Sequence, residues 1–303
     1  MSSHDFVTVQ APATTANLGP GFDSLGIALG LYNTVTLKMA DEAVVEIEGL
    51  GDDELPKDET NLIYQSARAL ADRVGLAGEW HVRQQNNIPL ASGMGSSSAA
   101  IVAGLKAAEA ALSISLPDDE MLEMAVVLEG HPDNVAPALL GGFTVCYDKS
   151  DGGRGVVSLD VPDNLQAVVV TPDFTVDTQA ARKVLPDTVP REDAVFNLCQ
   201  SSALVAMLVS RQYHDLAAAM CDRLHQPYRA HLVPGMEKII AAAVEAGAHG
   251  AALSGSGPSI LALADEYATS AIEAAMLQAA EESTEATWEG RILTLDRAGA
   301  KVC

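Results

Sequence analysis

A chain of 303 residues, 48% apolar and 4% aromatic, has room for two packed lobes at about 100–200 residues each, and no run approaches the about 20 unbroken apolar residues that cross a bilayer. Its 18 basic and 41 acidic side chains leave a net charge of −23, which argues against nucleic acid, whose backbone is held by clustered Lys and Arg, and against a membrane surface as partner. Four scattered cysteines without a CxxC pair point to neither disulfides nor a zinc knuckle, so reduced, mostly buried thiols are expected.

Met1-Ser2-Ser3-His4-Asp5 lacks both the basic start and the apolar run of a secretory signal, so a cytoplasmic location is expected. Apolar alternation over 6–9, 35–38 and 44–47 reads as strands, with a Gly/Pro-rich loop from Pro12 to Gly21 between the first two. Leu62, Ile63, Ala67, Leu70, Ala71 and Val74 share one helical face, with Thr60 as N-cap. A short strand, Trp80 to Gln84, precedes a Gly/Ser-rich loop at 92–98 that runs into a helix-forming stretch interrupted only by Gly104. A further helix is expected over 118–128, capped by Asp118 or Asp119, followed by a turn at 129–134.

Polar, glycine-rich residues 148–155 suggest a division into lobes 1–155 and 156–303. Beyond them, strands are expected at 165–170, 250–253, 260–264 and 292–295, with helices near 178–185, 193–210, 235–246 and 267–281. Strands and helices mix without regular βαβ repetition, which argues for α+β rather than a doubly wound sheet.

Three small-residue loops carry the chemistry. Pro89-Leu90-Ala91-Ser92-Gly93-Met94-Gly95-Ser96-Ser97-Ser98-Ala99-Ala100 ends on a helix start, where unpaired amides and the positive end of the helix dipole bind anions, phosphate above all. It has no G-x-x-x-x-G-K-[ST] match, so amides and serine hydroxyls would do the work without a lysine. A dinucleotide fingerprint fails because position 98 is Ser and the preceding strand is largely polar. A serine-hydrolase elbow fails for the same strand and for lack of a marked Asp/His pair. The second loop, 12–23, ends on two polar residues, Asn17 and Asp23. The third, Ser254 to Ser259, is a hairpin turn or a substrate-facing loop.

In this order and separation the three loops resemble the GHMP kinase superfamily over essentially the whole chain. PATTANLGPGFD at 12–23 and EGHPDNVAPA at 129–138 are similar to its homoserine kinase branch in particular. The resemblance implies a two-lobed fold, with an N-terminal lobe like ribosomal protein S5 domain 2, a C-terminal ferredoxin-like lobe and a cleft between them. It implies ATP over Pro89, Leu90, Ala91, Ser92, Gly93, Met94, Gly95, Ser96, Ser97, Ser98 and Ala99, with Asn61 on the adenine side. Mg2+ would be held by Ser97 or Ser98 and by Glu129, with Glu123 as competitor.

The small-molecule substrate implied is L-homoserine, phosphorylated on its side-chain hydroxyl in threonine biosynthesis. Asn17, Asp23, His131, Asp133 and Asn134 match positions around its amino and hydroxyl groups, and Thr178, Arg182 and Arg229 match the carboxylate side. Asn134 stands where some superfamily members carry an aspartate base, and an amide accepts no proton. The expected catalysis is therefore transition-state stabilisation without a dedicated base, with Asp23 the alternative. Another GHMP kinase substrate, or a non-kinase such as a hydrolase or a silent ligand-binding module, remains the rival reading, and a homodimer remains open.

Overall fold

The computed structural model describes residues 5–150 and 152–303; Met1 to His4 lie outside them. Its first half runs β1 (Val7–Ala16), β2 (Leu25–Ala40), β3 (Val44–Gly49), α1 (Leu62–Arg73), β4 (Glu79–Asn86), α2 (Ser96–Ala111), α3 (Asp118–Glu129), α4 (Pro132–Leu140), β5 (Phe143–Asp148) and β6 (Arg154–Leu159). The second half runs β7 (Leu165–Pro172), α5 (Thr178–Lys183), α6 (Arg191–Ser210), α7 (Leu216–Ala219), α8 (Gln226–Arg229), α9 (Met236–Glu245), β8 (Gly250–Leu253), β9 (Ile260–Asp265), α10 (Thr269–Glu281), β10 (Trp288–Thr294) and β11 (Lys301–Val302).

The first sheet has the order β11-β1-β2-β4-β3, with the β5–β6 pair hydrogen-bonded to β2. Its backbone is β2, whose start pairs with β5 and whose far half pairs with β4. Val35 and Leu37 are buried while Thr36 and Lys38, alternating with them, are partly exposed, the pattern of a sheet with one face on the core. The second sheet, β10-β7-β9-β8, is antiparallel throughout. The apolar run of β7 has a two-sided cause. Ala167 and Val169 join the core of the first sheet, and Val168 and Val170 join the core beneath α9 and α10.

The α+β reading holds, and several local expectations change. β1 continues through Pro12 to Ala16, so the first loop shrinks to about the turn after Asn17; a register shift between Pro12 and Ala13 absorbs the proline. The cap of α1 is Asn61 rather than Thr60, its Oδ1 accepting from the Ile63 amide. Pro117, not an aspartate, caps α3. The turn expected at 129–134 passes into the helix α4, with Pro132 at its first position, where a missing N–H costs nothing. The polar stretch 148–155 contains the turn of the β5–β6 hairpin. The expected division after residue 155 falls inside β6, a strand of the first sheet, and β11 returns the C-terminus to that same sheet. Only Cys146 is buried, its thiol pushed up to about 12 first by burial; Cys199, Cys221 and Cys303 are exposed.

The glycine inside α2 is explained by packing. A Cβ on Gly104 would sit 2.6 Å from the Ile63 carbonyl oxygen and 2.9 Å from the Ser66 Cβ, so its absence lets α1 close on α2. Gly104→Val should cost about 1–3 kcal/mol through overpacking, read as a lower urea midpoint at unchanged slope. An unchanged midpoint would show that the two helices part freely.

Candidate active site

The three loops meet at one junction between the sheets. The Ser254 hydroxyl is placed 2.7 Å from the Gly93 carbonyl and 2.8 Å from Thr15 Oγ1. The Gly255 amide donates to Ala16 O at 3.1 Å and the Ser259 amide to Ser92 O at 3.0 Å, while Asn17 Nδ2 donates to Gly255 O at 2.9 Å. A cleft of about 370 Å³ opens beside this junction.

One wall of the cleft is the start of α2. Gly95 caps that helix at φ +67°, and no side chain takes the first amides. A Cβ there would lie 1.9 Å from Thr14 Oγ1, and one on Gly93, at φ +82°, would lie 2.1 Å from Ser254 O. Both positions therefore demand glycine twice over, by conformation and by space. Ser96 and Ser97 line the cleft beside these amides, a ready site for phosphate. The hydroxyls of Ser97 and Ser98 each donate to the same Glu129 Oε1 at 2.7 Å. Glu129 sits at the end of α3; Glu123, six residues earlier, is exposed and does not line the cleft.

Of the nucleotide positions taken from the sequence, Asn61, Leu90, Ala91, Ser92, Gly93, Gly95, Ser96 and Ser97 line the cleft. Pro89, Met94, Ser98 and Ala99 do not; Met94 and Ala99 are fully buried and Ser98 reaches it only through Glu129. Leu55, Pro56, Thr60 and Leu62 also line it. These were missed, and the available signal was a few apolar residues in an otherwise polar stretch.

The opposite wall carries opposite charges. Asp23, held at φ +56° with its amide donating to Asn17 Oδ1 at 3.0 Å, receives two hydrogen bonds from Arg182 at 2.6 and 2.9 Å. Arg229 is 2% exposed, and it bonds to Ala181 O, Gly255 O and His225 Nδ1 through Nε and Nη1 at 3.0, 3.2 and 3.2 Å. Burial foremost, then repulsion from Arg182, brings its guanidinium down to about 10. His225 Nε2 lies 2.7 Å from Gly19 O, which fixes the proton on Nε2 and leaves Nδ1 to accept from Arg229. Burial keeps this imidazole below its ordinary range, consistent with a neutral ring. Thr178 Oγ1 lies 3.3 Å from Ser256 Oγ at the rim.

Between the walls, His131 Nδ1 lies 2.7 Å from Asp133 Oδ1, and Thr14 Oγ1 donates to Asn134 Oδ1 at 2.8 Å. Asn17, Asp23, His131, Asp133, Asn134, Thr178, Arg182 and Arg229 all line the one cleft.

Residues 61–142 match the GHMP kinases N terminal domain and residues 203–282 the GHMP kinases C terminal domain. Homoserine kinase of Desulfitobacterium hafniense is 43% identical over 98% of this chain and 99% of its own. That of Carboxydothermus hydrogenoformans is 45% identical over 86% of each. The chain belongs to the homoserine kinase family of GHMP kinases. The crystal structure of the family's member from Cytophaga hutchinsonii superposes at TM-score 0.90 with 34% identity, covering 100% of this chain and 99% of that one. L. major mevalonate kinase, 16% identical at TM-score 0.74 over 98% of each chain, shares the fold. Family membership makes the chain a kinase that uses ATP on a small-molecule substrate, built from an S5 domain 2-like N-terminal lobe and a ferredoxin-like C-terminal lobe.

His131 offers a direct check of the site's field. Burial opposes its protonation, but the hydrogen bond and charge of Asp133, with the charge of Glu129 added, outweigh burial and raise its pKa above the ordinary 6.5. The sign follows from linkage: this stabilisation is fully present below the unfolded value and fades as pH rises through the raised folded one. NMR titration of the imidazole should give a midpoint above 6.5 that drops when Asp133→Asn leaves burial in control. A wild-type midpoint below 6.5 would mean that burial dominates.

Proposed function

We propose that the protein transfers the terminal phosphoryl group of ATP to the side-chain hydroxyl of L-homoserine, forming O-phospho-L-homoserine for threonine biosynthesis in the cytoplasm. The carrying observation is the Asp23–Arg182 ion pair, its bonds 2.6 and 2.9 Å long, facing the cleft beside the buried Arg229. A zwitterionic amino acid exchanges that internal pair for two external ones. Its ammonium replaces Arg182 on Asp23, and its carboxylate takes Arg182 and Arg229. A plain hydroxy acid satisfies only the arginines and strands Asp23, which makes the pair a filter for zwitterions.

The amides of the Gly95 turn and the dipole of α2 would bind the polyphosphate, with Asn61 and the apolar residues around Pro56 toward the base. Mg2+ fits the oxygen set of Ser97, Ser98 and Glu129, which already converges on one Glu129 oxygen at 2.7 Å. Such a hard cation takes one or two carboxylates plus phosphate oxygens, and when bound it would neutralise charge on the transferring group. Thr178 and Asn17 would orient the substrate, and His131 would add positive charge near the acceptor. His225 acts through Arg229 as a positioning residue. The proposed lobes are the first sheet with its helices and the second sheet with its own.

An ADP-release assay with homoserine, mevalonate, galactose and shikimate is expected to show turnover with homoserine alone. Turnover only with mevalonate would move the assignment to another GHMP kinase, and none with any would revive a non-kinase role. Arg182→Met, losing charge-assisted bonds of about 1.5–3 kcal/mol each, should raise the homoserine KM by about ten- to a hundred-fold and leave the ATP KM near wild type. An equal rise in both would place Arg182 outside the substrate's carboxylate contact.

A further inference from the structure

One polar side chain of the cleft stands on the core face of the first sheet. Gln84, near the end of β4, is 5% exposed and lines the cleft. Its side-chain amide forms no hydrogen bond with any described residue. Nor is that amide sealed into the core, as the unpaired atoms of Asn33 and Asn86 are, so it opens onto the cleft.

The sheet gives the amide no partner. Opposite Gln84 stand Val35 on β2 and Ile47 on β3, both buried and apolar. A buried amide without a partner costs free energy that an apolar side chain of the same size would not. Gln84 therefore answers to something that enters the cleft.

Its position shows which end of the cleft that is. Asn86, next along the same face of β4, donates to Leu50 O at 2.7 Å. The adjoining Gly51 is so close to the cleft residue Leu90 that a Cβ on it would lie 2.2 Å from Leu90 Cδ1, with Leu55 Cγ at 3.6 Å. Leu55 and Leu90 thus flank the end of β4, on the side of the cleft assigned above to the base. Asn61, on that same side, is already engaged at both ends of its amide: Oδ1 accepts from the Ile63 amide at 2.9 Å and Nδ2 donates to Pro56 O at 3.0 Å.

We propose that Gln84 selects the base of the nucleotide, its Oε1 accepting from the 6-amino group of adenine and its Nε2 donating to the ring nitrogen beside that group. A carboxamide sets an acceptor next to a donor, and this edge of adenine sets a donor next to an acceptor, the match by which glutamine reads adenine in nucleic acids. The backbone of Gln84 is hydrogen-bonded to strands on both sides, which fixes the height and direction from which the amide reaches the base. A base without the amino group would leave Oε1 unpaired beside apolar walls, and a site of that kind rejects such an analogue. The inference rests on the reading of this cleft as the nucleotide site and is indifferent to which alcohol accepts the phosphoryl group.

Isothermal titration calorimetry without any acceptor, with Mg-ATP and with the Mg complex of purine ribonucleoside triphosphate, which lacks the 6-amino group, tests this directly. The wild type should bind ATP about ten-fold more tightly than the analogue, about 1.4 kcal/mol. Gln84→Leu should bind the two alike and ATP about ten-fold more weakly than the wild type does. Its Tm should be equal or higher, because an unpaired amide gives way to apolar surface beside Val35 and Ile47. Gln84→Met, which keeps the length of the side chain, should behave in the same way and separates the lost bonds from lost packing. A wild type indifferent to the amino group, or variants that keep the wild-type preference, would overturn this inference and leave ATP binding standing. A wild type that binds neither nucleotide would remove the nucleotide reading of the cleft and this inference with it.

Discussion

The close approach of Gly93 to the Ser254 carbonyl is the constraint on which the cleft depends. A methyl group at Gly93 would overlap that oxygen at 2.1 Å, so the glycine turn of the first sheet and the hairpin turn of the second meet backbone to backbone. Around this point the Ser254 hydroxyl, the Ser259 amide and the Gly255 amide tie strand ends of both sheets together. Bonds between main chains hold loops in register more firmly than long side chains do, because they fix atoms that have little freedom left to lose. The amides at the start of α2 and the charged wall are therefore parts of one rigid unit, joined through Gly93 and Ser254, which lie 161 residues apart in sequence.

That rigidity explains how an acidic protein presents cations to an anion. At physiological salt the surface carboxylates beyond about 8 Å are screened, while charges inside the cleft are not. Arg229 is buried on two carbonyls and an imidazole rather than against a carboxylate, and burial brings its pKa down to about 10. It remains a cation at neutral pH, at a cost in solvation that a ligand carboxylate would offset. His225 supports it by a fixed tautomer: its Nε2–H donates to the Gly19 carbonyl, so Nδ1 faces Arg229 as an acceptor. The first loop thereby orients an arginine of the second half through one imidazole.

Much of the fold and most of the cleft could be read from the sequence, for physical reasons that differ by residue. Regular alternation marked β3 and helical periodicity marked α1, whose faces are cleanly divided between core and solvent. α4 was missed because Pro132, Pro137 and the Gly-His-Pro-Asp-Asn run carry turn chemistry locally, and only packing on β1 and β2 makes them helical. The end of β1 was missed because Pro12 and Thr14 look like loop, while the ladder to β2 extends them. Charged cleft residues stood out by type and by the motifs around them. The apolar wall at Leu55 and Pro56 did not, since nothing local distinguishes a leucine that lines a cavity from one that packs in a loop. The bond from His225 to Arg229 joins neighbours one helical turn apart, but its meaning lies in Gly19, which no local pattern reveals.

The proposed chemistry can dispense with a general base because both candidates are already engaged as acceptors. Asn134 Oδ1 accepts the Thr14 hydroxyl, and as an amide it takes no proton in any case. Asp23 accepts two guanidinium bonds, and on the proposed reading it exchanges them for the substrate ammonium, so its lone pairs are committed before and after binding. A phosphoryl group moving through a loose transition state asks little of a base, since the hydroxyl loses its proton late and most of the barrier lies in orientation and charge. What the cleft supplies matches that demand: amides fixed by Gly95 on one side, His131 made more basic by Asp133 on the other, and between them the charged groups that, on the proposed reading, hold the acceptor alcohol.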